Sequence, residues 1–442
     1  MMEFSGRHRG RIGLRSAARL LAGASLLSVA ALLLPALPVS AASGYHPIYQ
    51  YAQYVGGHGK ANSKLSPIEV GVINQQGGST DIAPQWTIGA TLAEKFINNQ
   101  AGGIDGHPLK LVQCFIPDQV SSAAQCGQQM ANNNSIAAIS VGAVAIGNQA
   151  MEQALTPTKK VLVFGVSVSP VDTTYKDGYI LYGDGTHVEA PLATFAKQYL
   201  KVHSVSIVWP NLPGFSVGVD IIVDALKYQG INNVYSVSYD PSQTDLTTPL
   251  EAAHVGQTGL FIADAPGGPP CSNMYLALKQ LNIKTTVLAN VPCDSTQVAT
   301  ADGGQLPNGW YYASANPLPG DSSDPSLAAF KKVASAYGEP NWANDAWVGD
   351  SFGQMITIAK WETQLLKSHK QVNVDTVNNM AKSFHGPVAQ GAPDLHCGAF
   401  GAAPAVCNDL VQFFQNTSPG VFNAIVRWIG PPAGFKIPKA LE

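Results

Sequence analysis

The feature that most restricts what this chain can fold into is an alternation that begins near Ile68. Short β-branched, apolar runs at 68–73, 109–115, 136–141 and 161–166 read as strands, and amphipathic stretches at 85–100, 123–132 and 148–155 read as the helices between them. Such a repeat is satisfied by a parallel sheet with helices on both faces, because neighbouring parallel strands need a crossover long enough to hold a helix. In the first helix Trp86, Ala90, Ala93, Phe96 and Ile97 recur at three- or four-residue steps and form one stripe against the sheet.

The pattern restarts after a Gly/Asp-rich joint, Tyr182-Gly183-Asp184-Gly185. Strands are expected at 205–209, 234–239, 260–263, 286–289 and 310–315, with helices at 187–200, 217–229, 246–255 and 274–281. Two long helices, 326–337 and 344–366, follow. The expected fold is α/β: two doubly wound, open parallel-sheet lobes joined by a hinge that the chain crosses more than once. Residues 67–180 would form the first part of lobe 1, 181–312 lobe 2, and 313–383 the return to lobe 1. Residues 384–442 would pack on lobe 2 or the hinge, with a strand near 421–428, and 42–66, lacking periodicity, read as a leader. Ligands in such sheets bind outside the carboxyl ends of the strands, and the gap between two lobes is a favoured place.

The first forty residues differ from the rest. Five arginines, Arg7 to Arg19, precede an apolar run from Leu20 to Val39 that closes on Ser40-Ala41-Ala42, the order of a secretory signal over 1–41. The alternative is a retained anchor, since about twenty apolar residues can span a bilayer; Pro35, Pro38 and the small-residue exit favour cleavage. Removing five positive charges and one negative from a formal −3 leaves −7, an anionic exported protein. No Cys stands at the cleavage site, so no lipid anchor through Cys is expected. The six cysteines, 114, 126, 271, 293, 397 and 407, are even in number and exported, which argues for disulfides. Fifteen connectivities are formally open; nearest neighbours, Cys114–Cys126, Cys271–Cys293 and Cys397–Cys407, are the expected set. A metal site involving His396-Cys397 is the competing reading, but no CxxC or His-x3-His spacing supports it, and no metal is expected.

Charged residues are 12% of the chain, about half the usual share, which excludes long disordered charge runs. No basic stripe tracks a phosphate backbone, so nucleic acid is not an expected partner. The sequence holds no GxGxxG after a strand, no GxxxxGK[ST] and no HExxH, and Gly165-Val166-Ser167-Val168-Ser169 lacks the closing Gly of a nucleophile elbow. Neither an enzyme nor a cofactor is indicated.

Strand 68–73, the loop Gly77-Gly78-Ser79-Thr80, a helix, and then Asn98-Asn-Gln-Ala-Gly-Gly-Ile-Asp-Gly-His-Pro-Leu-Lys-Leu-Val112 together resemble the type I periplasmic-binding-protein superfamily. The likeness is to its branched-chain amino-acid (leucine/isoleucine/valine) binding branch, where an N-x-x-GGI-x-G segment joins the first helix to the second strand. Cys114 and Cys126 stand where that branch commonly has a disulfide. The resemblance covers roughly 67–370. It implies two lobes hinged by three crossovers that close on a small solute and pass it to the permease of an ABC transporter, the protein acting as a monomer.

The same resemblance nominates ligand-binding residues. The family holds a ligand carboxylate with helix N–H groups and a Ser hydroxyl after a lobe-1 strand; here Ile146 or Gly147 replaces the Ser, and Asn148 adds an amide. Ser167 and Ser169 follow the next strand, and Gln75, Gln76, Gly77 and Gly78 form the first loop. On lobe 2, Asn211 and Phe215 follow strand 205–209, with Trp209 assigned to the core. Asp264 and Asp294, past strands 260–263 and 286–289, could meet an ammonium group, although neither aligns with the family's acid. The implied solute is a branched-chain amino acid or a related small, moderately apolar molecule. Two other classes stay open: an extracellular ligand-sensing module of the same fold, and a secreted α/β hydrolase using Ser167 or an Asp pair.

Overall fold

The computed structural model describes residues 45–78, 84–167 and 169–438. The expected signal lies outside them, as do Ser79, Thr80 and Val168. Helix α1 (Tyr51–Val55) precedes a first sheet of five parallel strands: β1 (Ile68–Asn74), β2 (Leu109–Phe115), β3 (Ile136–Val141), β4 (Val161–Phe164) and β5 (Gly178–Ile180). Their order is β2-β1-β3-β4-β5, with α2 (Gln85–Gln100), α3 (Val120–Asn132), α4 (Asn148–Leu155) and α5 (Pro170–Thr174) in the crossovers. The chain then builds β6 (Ser204–Pro210), β7 (Asn233–Tyr239), β8 (Leu260–Ala263), β9 (Thr286–Asn290) and β10 (Tyr311–Ser314), with α6 (Pro191–Thr194), α7 (Pro213–Tyr228), α8 (Thr247–Ala252), α9 (Gly268–Gln280) and α10 (Thr296–Ala301). Helices α11 (Pro325–Ala336), α12 (Ala346–Lys367) and α13 (Val374–Lys382) return to the first lobe. Strands β11 (Val411–Ser418) and β12 (Val421–Ile429) end in the second.

Period-two alternation explains why both lobes are double-faced. Along β4, Val161 and Val163 pack with α2 and α12 while Leu162 and Phe164 pack on the opposite side. In β8, Phe261 and Ala263 face one core and Leu260 and Ile262 the other. Fully buried strands therefore read as unbroken apolar runs, whereas the edge strand β7 mixes Asn, Ser and Tyr and is largely exposed. Between α2 and β2 the side chain of Asn98 clamps Leu109, accepting from its N–H (2.7 Å) and donating to its carbonyl (2.8 Å). Gly103 has φ +74°, and a Cβ there would lie 2.2 Å from the His107 carbonyl, so the Gly-Gly turn answers a local backbone demand. All three disulfides pair nearest neighbours, as expected.

Four expectations change. The second sheet, β12-β11-β10-β9-β8-β6-β7, is mixed, because β11 and β12 join it antiparallel. The segment before Ile68 is not a loose leader: Tyr51 and Val55 are buried, and the Tyr51 ring meets Phe96 and Phe352 edge-on. A five-residue helix shows too little periodicity to be read. The 187–200 helix is broken, turns leading into α6 and a π-helical turn at 195–199, since Pro191 has no N–H and suits only a first turn. Finally, 384–442 divides: Val388, Ala389, Ala392, Leu395 and Cys407 belong to the first-lobe core, and only the strands at 411–429 join the second sheet.

Candidate functional site at the strand ends

Each sheet has a switch point where strand order reverses, between β1 and β3 in the first and between β6 and β8 in the second, and the loops there are the natural place for a ligand. In the first, Gln75 is fully buried and its side-chain oxygen accepts from the Ala145 and Ile146 N–H groups (2.9 and 3.1 Å). It thus braces one switch-point loop against the other and occupies two of the amides an anion would use. Gln76 accepts from the Thr87 hydroxyl at the start of α2 (2.5 Å). Gly77 has φ +86°, and Gly78 lies against the Asp118 carboxyl, which a Cβ would strike at 2.2 Å. Gly147 takes the left-handed conformation before α4.

Asn148 turns inward. Its amide donates to the Asp172 carboxylate (2.8 Å), which also accepts from the Ser167 hydroxyl and the Ser169 N–H, each at 3.3 Å. Ser167 and Asp172 are buried, and Ser169 is half-buried at the start of α5. Glu152 of α4 is buried beside Asp172; burial and the hydrogen bond between the two carboxyls push it up to about 9. This network ties α4 to α5 and fixes the Ser167 loop.

Across from it, Ser167 forms an isolated parallel bridge with Asp184. Asp184 is buried and accepts from the His187 N–H (2.9 Å), with the His187 ring nitrogen 3.0 Å from the same oxygen. Glu189 is held well above the carboxylate range by burial and by the charges of Asp264 and Asp184. Asp264 spans the second switch point, its N–H donating to the Val208 carbonyl (3.2 Å) and its carboxyl accepting from the Asn290 amide (3.1 Å); burial raises it to about 7. Asp184 and Asp264 thus both act on Glu189, and the Asp184 backbone pairs with Ser167 of the first lobe. No Lys or Arg occurs at 75–84, 116–119, 142–147, 165–169, 182–190, 264–267 or 291–295. Asp294 is also raised to about 7, by burial and then by Asp345, the N-cap of α12.

Asn211 is exposed, its N–H bonded to the Tyr239 carbonyl (2.8 Å), and Phe215 is half-buried in the first turn of α7. Trp209 donates to Ser236 on β7 and packs at the second-lobe core, in keeping with its assignment to the core. A depression of about 590 Å³ opens elsewhere, between α1, α2 and α11; it brings no opposing charged groups together and sits away from the strand ends.

A family model for periplasmic binding proteins matches residues 67–377, most of the chain. The chain belongs to the periplasmic binding protein family. Its type I fold is shared with a leucine-binding protein from Thermotoga maritima (16% identity over 83% of this chain and 100% of that one, TM-score 0.60). A branched-chain amino-acid transporter substrate-binding protein from Streptococcus pneumoniae, in complex with isoleucine, matches at 14% identity, 83% and 100% coverage and TM-score 0.62. So does a fatty-acid ABC-transporter substrate-binding protein from Thermomonospora curvata, at 14%, 86%, 97% and 0.65. At such identities the likeness is one of fold. No curated protein matches the chain. No helix among the described residues of this periplasmic binding protein is long and apolar enough to cross a membrane.

Sequence reading reached Asp264 and Ser167 but passed over Asp184, Glu189, Asn290 and Asp172. Asp184 stands in the Gly/Asp-rich joint, where the local pattern signals only a turn. Glu189 fell inside the expected helix, and its orientation depends on the break at Pro191.

Proposed function

We propose that this periplasmic binding protein is the extracytoplasmic solute-binding component of an ABC-type uptake system. It is exported by cleavage of 1–41, works as a monomer, and hands its solute unaltered to a membrane permease. The solute is a small molecule bearing an ammonium group, a branched-chain amino acid or a related amine, held between the lobes as they close. The observation that carries this reading is the mutual influence of Asp184, Glu189 and Asp264, with Asp184 bridged to Ser167 and no Lys or Arg in the surrounding loops. Clustered carboxyls are costly unless they are protonated or meet a cation. A guest ammonium supplies that cation, and it favours the closed form by contacting groups from both lobes. A carboxylate lacking an amine would be repelled, which argues against a free fatty acid.

Calorimetric titration of the ligand-stripped protein with leucine, isoleucine, valine, their decarboxylated amines and a fatty acid tests this. Binding of amine-bearing solutes is expected, with Asp264→Asn weakening it roughly thirtyfold or more. Affinity should rise from pH 5.5 to 8 as Asp264 and Asp294, both near 7, ionise. Binding of the fatty acid alone would remove the proposal.

A further inference from the structure

The loop between α13 and β11 carries His385, Asp394 and His396, and one ligand atom from each lies within 4.8 Å of the other two. The side chains are exposed, but the backbone beneath them is fixed. Leu395 N–H donates to the His385 carbonyl (2.9 Å), Val388 N–H to Ala392 (2.9 Å) and His396 N–H to Cys407 (2.8 Å), while the Cys397–Cys407 disulfide closes the loop and Val388, Ala392 and Leu395 are buried.

Two distances point to a cation. His385 Nδ1 lies 3.1 Å from the Leu395 carbonyl oxygen. A carbonyl can only accept, so the proton belongs on Nδ1, leaving the Nε2 lone pair available; a backbone carbonyl commonly orients a metal-binding imidazole in this way. His396 Nε2 stands 3.6 Å from Asp394 Oδ2, too long for a hydrogen bond. It is close to the roughly 3.4 Å that separates two ligands of a tetrahedral ion with bonds of about 2.1 Å.

We propose that His385, Asp394 and His396 bind one divalent transition-metal cation of the zinc type, with water completing its coordination. Two imidazoles and a carboxylate suit such ions and not calcium or magnesium, which prefer all-oxygen sets. The cation would join the end of α13 to the disulfide loop that leads into the last crossover, bracing the first-lobe side of the hinge.

The test is calorimetric titration of the untagged, chelator-treated protein with zinc chloride. One ion per chain with micromolar affinity is expected at pH 7.5, with a raised melting temperature. His385→Ala and Asp394→Asn should each weaken zinc binding roughly tenfold or more, while the melting temperature in chelator stays at the wild-type value because both side chains are exposed. No binding up to about 1 mM zinc, or wild-type affinity in both variants, would overturn the proposal. Neither result bears on solute binding in the cleft, which is titrated in chelator.

Discussion

Arg427 is the one arginine beyond position 19. It pairs with Asp321 (2.5 Å) and reaches Asp324 (3.5 Å), both of which are buried, and its guanidinium lies over the Tyr45 ring. Replacing it with Met would strand two buried carboxylates, and a loss of about 3–5 kcal/mol in denaturant unfolding is expected. A gain of stability in Arg427→Met would show that the pair does not hold β12 to the α11 approach. Glu362 on α12 is the converse case, a fully buried acid raised to about 8 by burial, with neither oxygen hydrogen-bonded among the described residues. Its folded pKa exceeds the unfolded value near 4.5, so the stability it contributes is fully present below that value and is lost as pH rises through 8. Glu362→Gln should therefore raise the melting temperature more at pH 8.5 than at pH 5. An equal shift at both would count against the assignment.

At the level of elements, the first lobe depends on α2 lying close to both its sheet and α12. A Cβ at Gly89 would meet the Val348 carbonyl at 2.3 Å, and one at Gly165, just after β4, would fall 1.6 Å from the buried Trp86 ring. Neither backbone nor a buried indole can give way cheaply. Gly165→Ala is expected to cost about 1–3 kcal/mol by overpacking, and because Gly165 leads into the Ser167 loop, it should weaken solute binding as well. Unchanged melting and unchanged affinity together would refute this placement. The close approach of Gly165 to Trp86 on α2, about eighty residues earlier in the chain, has no local signal in the sequence.

For the molecule as a whole, the raised carboxyls add in one direction. Asp264 and Asp294 near 7, Glu362 near 8 and Glu152 near 9 all favour the protonated, folded form. By linkage the solute-free protein should melt at progressively lower temperature as pH rises from 5 to 9, and a bound ammonium solute should reduce that slope. A melting curve flat across this range would mean that these groups are less buried than they stand here. The chain crosses between lobes three times, near 181–190, 315–324 and 408–410, so closure can move the lobes as bodies with strain confined to short segments.

Local periodicity determined most of the strands and helices, since alternation of period two and 3.6 acts within a few residues, and the Gly-Gly turn with its family likeness carried the fold class. Cysteine spacing pointed to nearest-neighbour disulfides, and the fold selected that set among fifteen open connectivities. Tertiary structure alone decided the grouping of acids at the second switch point, because Asp184 and Glu189 on one segment come near Asp264 on another only in the folded chain. It also decided that Gln75 spends its carbonyl on two loop amides and that residues before Ile68 belong to the core, since both depend on packing partners that no local pattern encodes.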